Sequence, residues 1–161
     1  MITAIIQARM SATRLPGKVL LPLGEGTVLE HTIGQVKKAK SIGRVVVATS
    51  DGADDDTIAA LCEKVGVPVF RGSLNDVLDR YYSAAKKFGA EHIARITSDC
   101  PLIEPGIIDR VVRELIDSDP PADYACNLLP RRTYPRGLDV EAFWFATLEL
   151  LWREDGSPGW R

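Results

Sequence analysis

Residues 5–18 read Ile-Ile-Gln-Ala-Arg-Met-Ser-Ala-Thr-Arg-Leu-Pro-Gly-Lys. The apolar run that begins at residue 2 predicts a strand over 2–8, and that strand opens directly into a basic, small-residue loop. Arg9, Arg14 and Lys18 bring three cations to the carboxyl end of this first strand. In an open α/β sheet that edge is where ligands bind. Three converging cations beside free backbone N–H groups suit a polyphosphate. Ser11 and Ala12 let the backbone approach a ligand closely, and Pro16-Gly17 sets a tight turn that aims Lys18 back at the loop. A solvated basic loop is the competing reading.

Outward from this loop, strands and helices alternate. Residues 44–49 form a β-branched run, and 67–70, 92–97, 123–126 and 138–145 read as further strands. Their near-continuous apolar character is what burial on both faces requires. Thr27 and Glu30 form a capping box ahead of Leu29, Ile33 and Val36. Asp54, Asp55 and Asp56 precede a second helical period, which Gly66 stops. Val77 to Phe88 line a third helix ended by Gly89, and Pro105 opens a fourth. This order predicts an α/β chain: a mainly parallel sheet covered by helices on both sides, with 1–161 as a single domain.

Composition narrows the function classes. A net charge of −2 argues against a sequence-independent nucleic-acid binder, so the cations matter by clustering. No apolar run has the ~20 residues a membrane span needs, and the N-terminus lacks a signal peptide's basic region. Cys62, Cys100 and Cys126 are odd in number and widely spaced, against a disulfide framework or a zinc site. A cytoplasmic setting is expected.

Two common phosphate motifs are absent. Gly17-Lys18 is followed by Val19, and Ala12 stands where a Walker loop needs glycine; Gly24-Glu25-Gly26 lies too far from the strand for a dinucleotide fingerprint. A second constellation, Thr97-Ser98-Asp99-Cys100-Pro101-Leu102, closes a predicted central strand. Asp99 there suits Mg²⁺ bridging phosphates, with a turn-capping Asp as the alternative. Asp54-Asp55-Asp56 resembles a metal-binding D-x-D motif, with stabilisation of a helix N-terminus by acidic charge as the favoured reading. His31 and His92 read as structural. Arg71 falls at another strand's carboxyl end, where a helix-flanking surface charge is the competing reading. The stretch 131–141 mixes Arg, Tyr and carboxylates as a sugar pocket or a surface loop would.

Taken together, these segments resemble the sugar cytidylyltransferases, and most closely the spore-coat polysaccharide biosynthesis protein F family. That family is related to the acylneuraminate and 3-deoxy-manno-octulosonate cytidylyltransferases. The resemblance rests first on residues 5–18. It is supported in order by Val-Leu-Glu-His-Thr-Ile, Val-Val-Val-Ala-Thr, Val-Pro-Val-Phe-Arg-Gly-Ser, Asp-Val-Leu-Asp-Arg-Tyr-Tyr, Ser-Asp-Cys-Pro-Leu-Ile and Tyr-Pro-Arg-Gly-Leu-Asp-Val-Glu.

The resemblance implies a nucleotide-diphospho-sugar transferase (Rossmann-like) fold, a three-layer α/β/α sandwich. It implies CTP as substrate, Mg²⁺ as cofactor, and transfer of CMP to an acidic or related sugar for surface polysaccharide. By position, Arg9, Arg14 and Lys18 hold the triphosphate, with Arg9 and Lys18 as the catalytic pair. Ser11 belongs to the nucleotide loop, Ala8 and Arg71 lie near base or phosphates, Thr97 lies near the nucleotide, and Asp99 is the metal ligand. A homodimer, no nucleic acid and no membrane complete the expected partners. The resemblance also implies a later strand carrying a second metal carboxylate, which the sequence does not reach before Ser157-Pro158-Gly159-Trp160-Arg161. A C-terminally incomplete domain is therefore expected. A glycosyltransferase of the related nucleotide-sugar fold and a non-catalytic nucleotide-binding module are the alternatives.

Overall fold

The computed structural model describes residues 1–155, and the stretch 157–161 singled out above lies outside them. Strand β1 (Ile2–Gln7) leads through the basic loop to a short hairpin, β2 (Pro22–Leu23) and β3 (Gly26–Thr27), and then to α1 (Val28–Val36). The chain continues through β4 (Ile42–Ser50), α2 (Asp56–Lys64), β5 (Val69–Gly72), α3 (Val77–Lys87) and β6 (His92–Thr97). It ends with α4 (Pro105–Ile116), β7 (Tyr124–Cys126), β8 (Glu141–Trp144) and α5 (Phe145–Glu154).

The main sheet has the order β5-β4-β1-β6-β8-β7. Strands β5, β4, β1 and β6 pair in parallel. The connection through α4 carries the chain two positions past β6, leaving a gap of one strand. Strand β8 then returns into the gap, antiparallel to both neighbours. The mainly parallel sheet expected from sequence is present, with one reversed strand. The predicted strand at 138–145 is shorter, because Phe145 already begins α5. Neither α5 nor the β2–β3 hairpin was foreseen: the hairpin strands are two residues each, too short for a period to register.

Successive strand residues face opposite layers. Ala4, Ile6, Val45, Val47, Ala94 and Ile96 pack with α1, α2 and α4 in the larger core. Ile5, Ala48 and Ile93 face the other way, onto Tyr81, Tyr82, Ala84 and Ala85 of α3 and Leu148 of α5. This is the three-layer α/β/α arrangement.

The capping box predicted at Thr27 is formed. The Glu30 N–H donates to Thr27 Oγ1 at 3.2 Å and the Thr27 N–H donates to Glu30 Oε2 at 2.7 Å. Thr27→Ala removes one half and is expected to cost about 1 kcal/mol in urea melts, with Thr27→Ser close to wild type.

Asp109 on α4 ties that helix to the turn before β4. It accepts the Lys40 N–H at 3.1 Å, the Ser41 N–H at 2.8 Å and the Ser41 hydroxyl at 2.7 Å. Burial pushes its carboxyl up, but the Ser41 and Lys40 donors outweigh burial and hold it below the usual carboxylate range. A carboxyl lowered on folding adds stability that is present above its unfolded value of about 3.9 and is lost as pH falls through the lowered folded value. Asp109→Asn should therefore lower the melting temperature at neutral pH. The gap from wild type should close on acidification below about pH 4.

Candidate active site

The chain leaves β1 for β4 and β5 on one side, then resumes at β6 on the other. The crevice between the carboxyl ends of β1 and β6 is thus the sheet's topological switch point, where ligands bind in open α/β folds. A cavity of about 280 Å³ opens there. Gln7, Arg9, Ala12, Thr13, Arg14 and Lys18 line it from one side, and Arg95, Thr97, Ser98 and Asp99 from the other.

The basic loop is folded around one peptide group. The Met10 carbonyl accepts the Ala12 N–H at 2.9 Å and the Gly17 N–H at 2.8 Å, so residues 10–17 close on themselves. Gly17 sits at φ 71°, a left-handed conformation that disfavours a side chain and turns Lys18 inward. Lys18 Nζ donates to Asp99 Oδ2 across the crevice, forming an ion pair between the two sides. Arg9 and Arg14 are exposed and make no ion pair among the described residues.

Asp99 is held from behind. The Ser98 N–H donates to Gln7 O at 3.1 Å, extending the ladder by one residue, and the buried Thr32 hydroxyl of α1 donates to Ser98 O at 3.1 Å. Burial pushes the Asp99 carboxyl up, but Lys18 and then Thr97 outweigh it and hold it below the ordinary carboxylate range. It is ionised at neutral pH.

Asp99 is the one acidic side chain lining this cavity, and the described residues hold no cluster of three or more His, Cys, Asp or Glu suited to a metal. A dedicated all-protein metal cage is therefore not built here. An ionised carboxylate with its side chain 39% exposed, opening on a cation-lined cavity, does fit Mg²⁺ shared with phosphate oxygens.

Other residues singled out in the sequence are distributed as follows. Ala8 is buried beneath the loop, its N–H donating to Ala48 O at 3.0 Å. Ser11 is exposed and does not line the cavity. Arg71 also stays out of it. Its Nε donates to Ser50 O at 3.1 Å, its Nη2 to Gly52 O at 2.9 Å, and its Nη1 pairs with Asp56 at 2.6 Å. His31 Nε2 lies 2.5 Å from Leu23 O, and the His92 ring packs against Trp144 with centroids 4.6 Å apart.

The stretch 131–141 divides. Arg132 pairs with Asp139, while Arg131, Thr133 and Tyr134 line a larger, mostly apolar groove of about 930 Å³ between α4 and the edge strand β7. The smaller cavity is the better chemical site because it combines converging charge with the switch point. Glu141 does not line that cavity but pairs with Arg95, which does.

Sequence reasoning missed Gln7 and Arg95. Both follow from strand period: Gln7 lies two residues beyond Ile5, Arg95 two before Thr97, and Gln7 pairs in register with Thr97. Asp55 stands at the start of α2 as expected, but it is buried, which the sequence did not signal.

Comparison with known proteins agrees with this geometry. A family model described as cytidylyltransferase matches residues 3–153. An uncharacterised protein of Methanocaldococcus jannaschii is 41% identical over 94% of this chain and 60% of its own length. The spore coat polysaccharide biosynthesis protein SpsF of Bacillus subtilis is 39% identical over 76% of this chain and 53% of its own length. The structure of a cytidylyltransferase from Leptospira borgpetersenii superposes with a TM-score of 0.92 at 39% identity, covering 98% of this chain and 66% of the other. The chain thus spans roughly half to two thirds of the length of these relatives. From its loop, its sheet and these matches, the chain belongs to the cytidylyltransferase family.

Proposed function

We propose that residues 1–161 form a nucleotidyltransferase domain that moves CMP from CTP to a sugar, acidic or related, and releases pyrophosphate. The observation that carries this reading is the crevice between β1 and β6, where Arg9, Arg14, Lys18 and Arg95 surround a single carboxylate. Arg95 is already paired with Glu141, so Arg9, Arg14 and Lys18 against Asp99 leave the net positive charge that suits the triphosphate of a nucleotide.

In this reaction a sugar hydroxyl attacks the α-phosphorus in line. The bond from that phosphorus to the β-phosphate oxygen breaks as the new P–O bond forms. Little covalent work falls to the protein, so catalysis is positioning and charge stabilisation. Arg9 and Arg14, exposed on the loop, bind the outer phosphates. Lys18 stabilises charge growing on the departing pyrophosphate. Asp99 would hold Mg²⁺ with the phosphate oxygens, and that ion would supply Lewis-acid neutralisation of the phosphates. Thr97 and Gln7 offer hydrogen-bonding groups at the cavity floor. Ala8 is buried in the core beneath the loop and does not itself line the cavity.

A glycosyltransferase of the related fold is the reading least supported, because Ser98-Asp99-Cys100 supplies no D-x-D at the end of the central strand. The test is pyrophosphate release from CTP and Mg²⁺ with a panel of carboxylated and neutral sugars. Pyrophosphate and CMP-sugar should appear in equal amounts. Consumption of a supplied nucleotide sugar without pyrophosphate would mark a glycosyltransferase. CTP binding with no release for any sugar would mark a binding module.

A further inference from the structure

The loop that carries the cations lies outside the main sheet and helices, yet one buried carboxylate fixes its central peptide. Asp55, just before α2, is 2% exposed. Its Oδ1 accepts the Met10 N–H at 2.7 Å. Its Oδ2 accepts the Thr49 hydroxyl at 2.9 Å, the Ser50 N–H at 2.9 Å and the Ser50 hydroxyl at 2.5 Å, all at the end of β4. Burial pushes the Asp55 carboxyl up, but these donors outweigh it and keep it ionised at neutral pH.

Met10 is the residue on which the loop closes. Its N–H is held by Asp55 while its carbonyl holds Ala12 and Gly17. Arg9 is adjacent to this hub, Arg14 lies within the closed segment, and Lys18 follows the Gly17 N–H that seals it. Cations crowded on one loop repel each other and favour an open conformation. A charge-assisted bond from a buried, immobile acceptor opposes that spreading before any ligand arrives.

We propose that Asp55 is a positioning residue for the triphosphate: by holding the Met10 peptide against the end of β4, it sets the spacing of Arg9, Arg14 and Lys18. Asp55 does not line the cavity and acts only through Met10. The proposal rests on the CTP reading above and adds the device that preorganises the loop. The acidic run 54–56 therefore has a division of labour, with Asp55 gripping the phosphate loop and Asp56 gripping Arg71.

Asp55→Ala strips a buried cluster of its acceptors and endangers the fold, so Asp55→Asn is the informative change. The amide keeps the shape but retains one acceptor oxygen where four donors need two. Amide hydrogen exchange of the full chain without ligand should quicken about tenfold at Met10, Ala12 and Gly17, while β1 and β6 amides stay protected. In parallel titrations the variant should bind CTP about tenfold more weakly and CMP, which lacks the outer phosphates, within about twofold of wild type. Unchanged exchange at the three loop amides overturns the proposal, and so does equal weakening of CTP and CMP. A wild-type chain that fails to bind CTP overturns the functional reading and the triphosphate role with it. The exchange result still decides, by itself, whether Asp55 holds the loop.

Discussion

Replacing Lys18 by alanine is expected to lower turnover by about 10²–10³-fold, the effect of removing one preorganised donor from developing charge. The CTP-induced rise in melting temperature should vanish with it. Lys18 is singled out among the cations because it alone spans the crevice, meeting Asp99 across the gap between β1 and β6. Arg9 and Arg14 are exposed on the loop, on one side of the crevice. The unliganded fold should be nearly indifferent to the change. The pair is partly exposed, with side chains 29% and 39% accessible, and such pairs add about 1 kcal/mol or less. Loss of ligand response with retained stability separates a binding role from a structural one. Lys18→Arg keeps the charge but replaces a point donor with a wide fork, so partial recovery is expected.

Replacing Asp99 by asparagine is expected to have an effect of similar size on turnover, and an opposite one on metal-free binding. The amide keeps the shape and removes the one negative charge in the cavity. Metal-free CTP should bind as well or better, because the triphosphate no longer faces a carboxylate. The gain in CTP affinity on adding Mg²⁺ should disappear, as measured by titration with and without the ion. A Mg²⁺ dependence that survives Asp99→Asn would remove Asp99 as the metal ligand. Because Lys18 and Asp99 touch, the double variant should be far from the sum of the singles in CTP affinity.

The sequence carried the fold's strong periods and the residues that repeat a known pattern. Strands at 2–7, 42–50 and 92–97 are long and apolar enough to register, and the Thr27-Glu30 box marks its helix unaided. The reversal of β8 was not legible, since a four-residue strand reads alike in either direction and only pairing decides. The cation loop could be located from sequence because its charge is local. Its shape could not, because it depends on Asp55, 45 residues away, reaching Met10. Arg71 illustrates the reverse: its place at the end of β5 was legible, but not its capture by Asp56 and the Ser50–Gly52 turn. Strand period puts Arg95 on the same face as Thr97, and the β1–β6 register, which the sequence does not give, brings Gln7 beside them at the cavity.

The most direct test of the account is calorimetric titration of the full chain with CTP, UTP, GTP and ATP in Mg²⁺, repeated on Lys18→Ala. CTP should bind about tenfold or more tightly than the other three, a preference that one or two base-edge hydrogen bonds supply. The Lys18 variant should lose that binding. Equal affinity for all four nucleotides, or CTP binding that survives without Lys18, would contradict it.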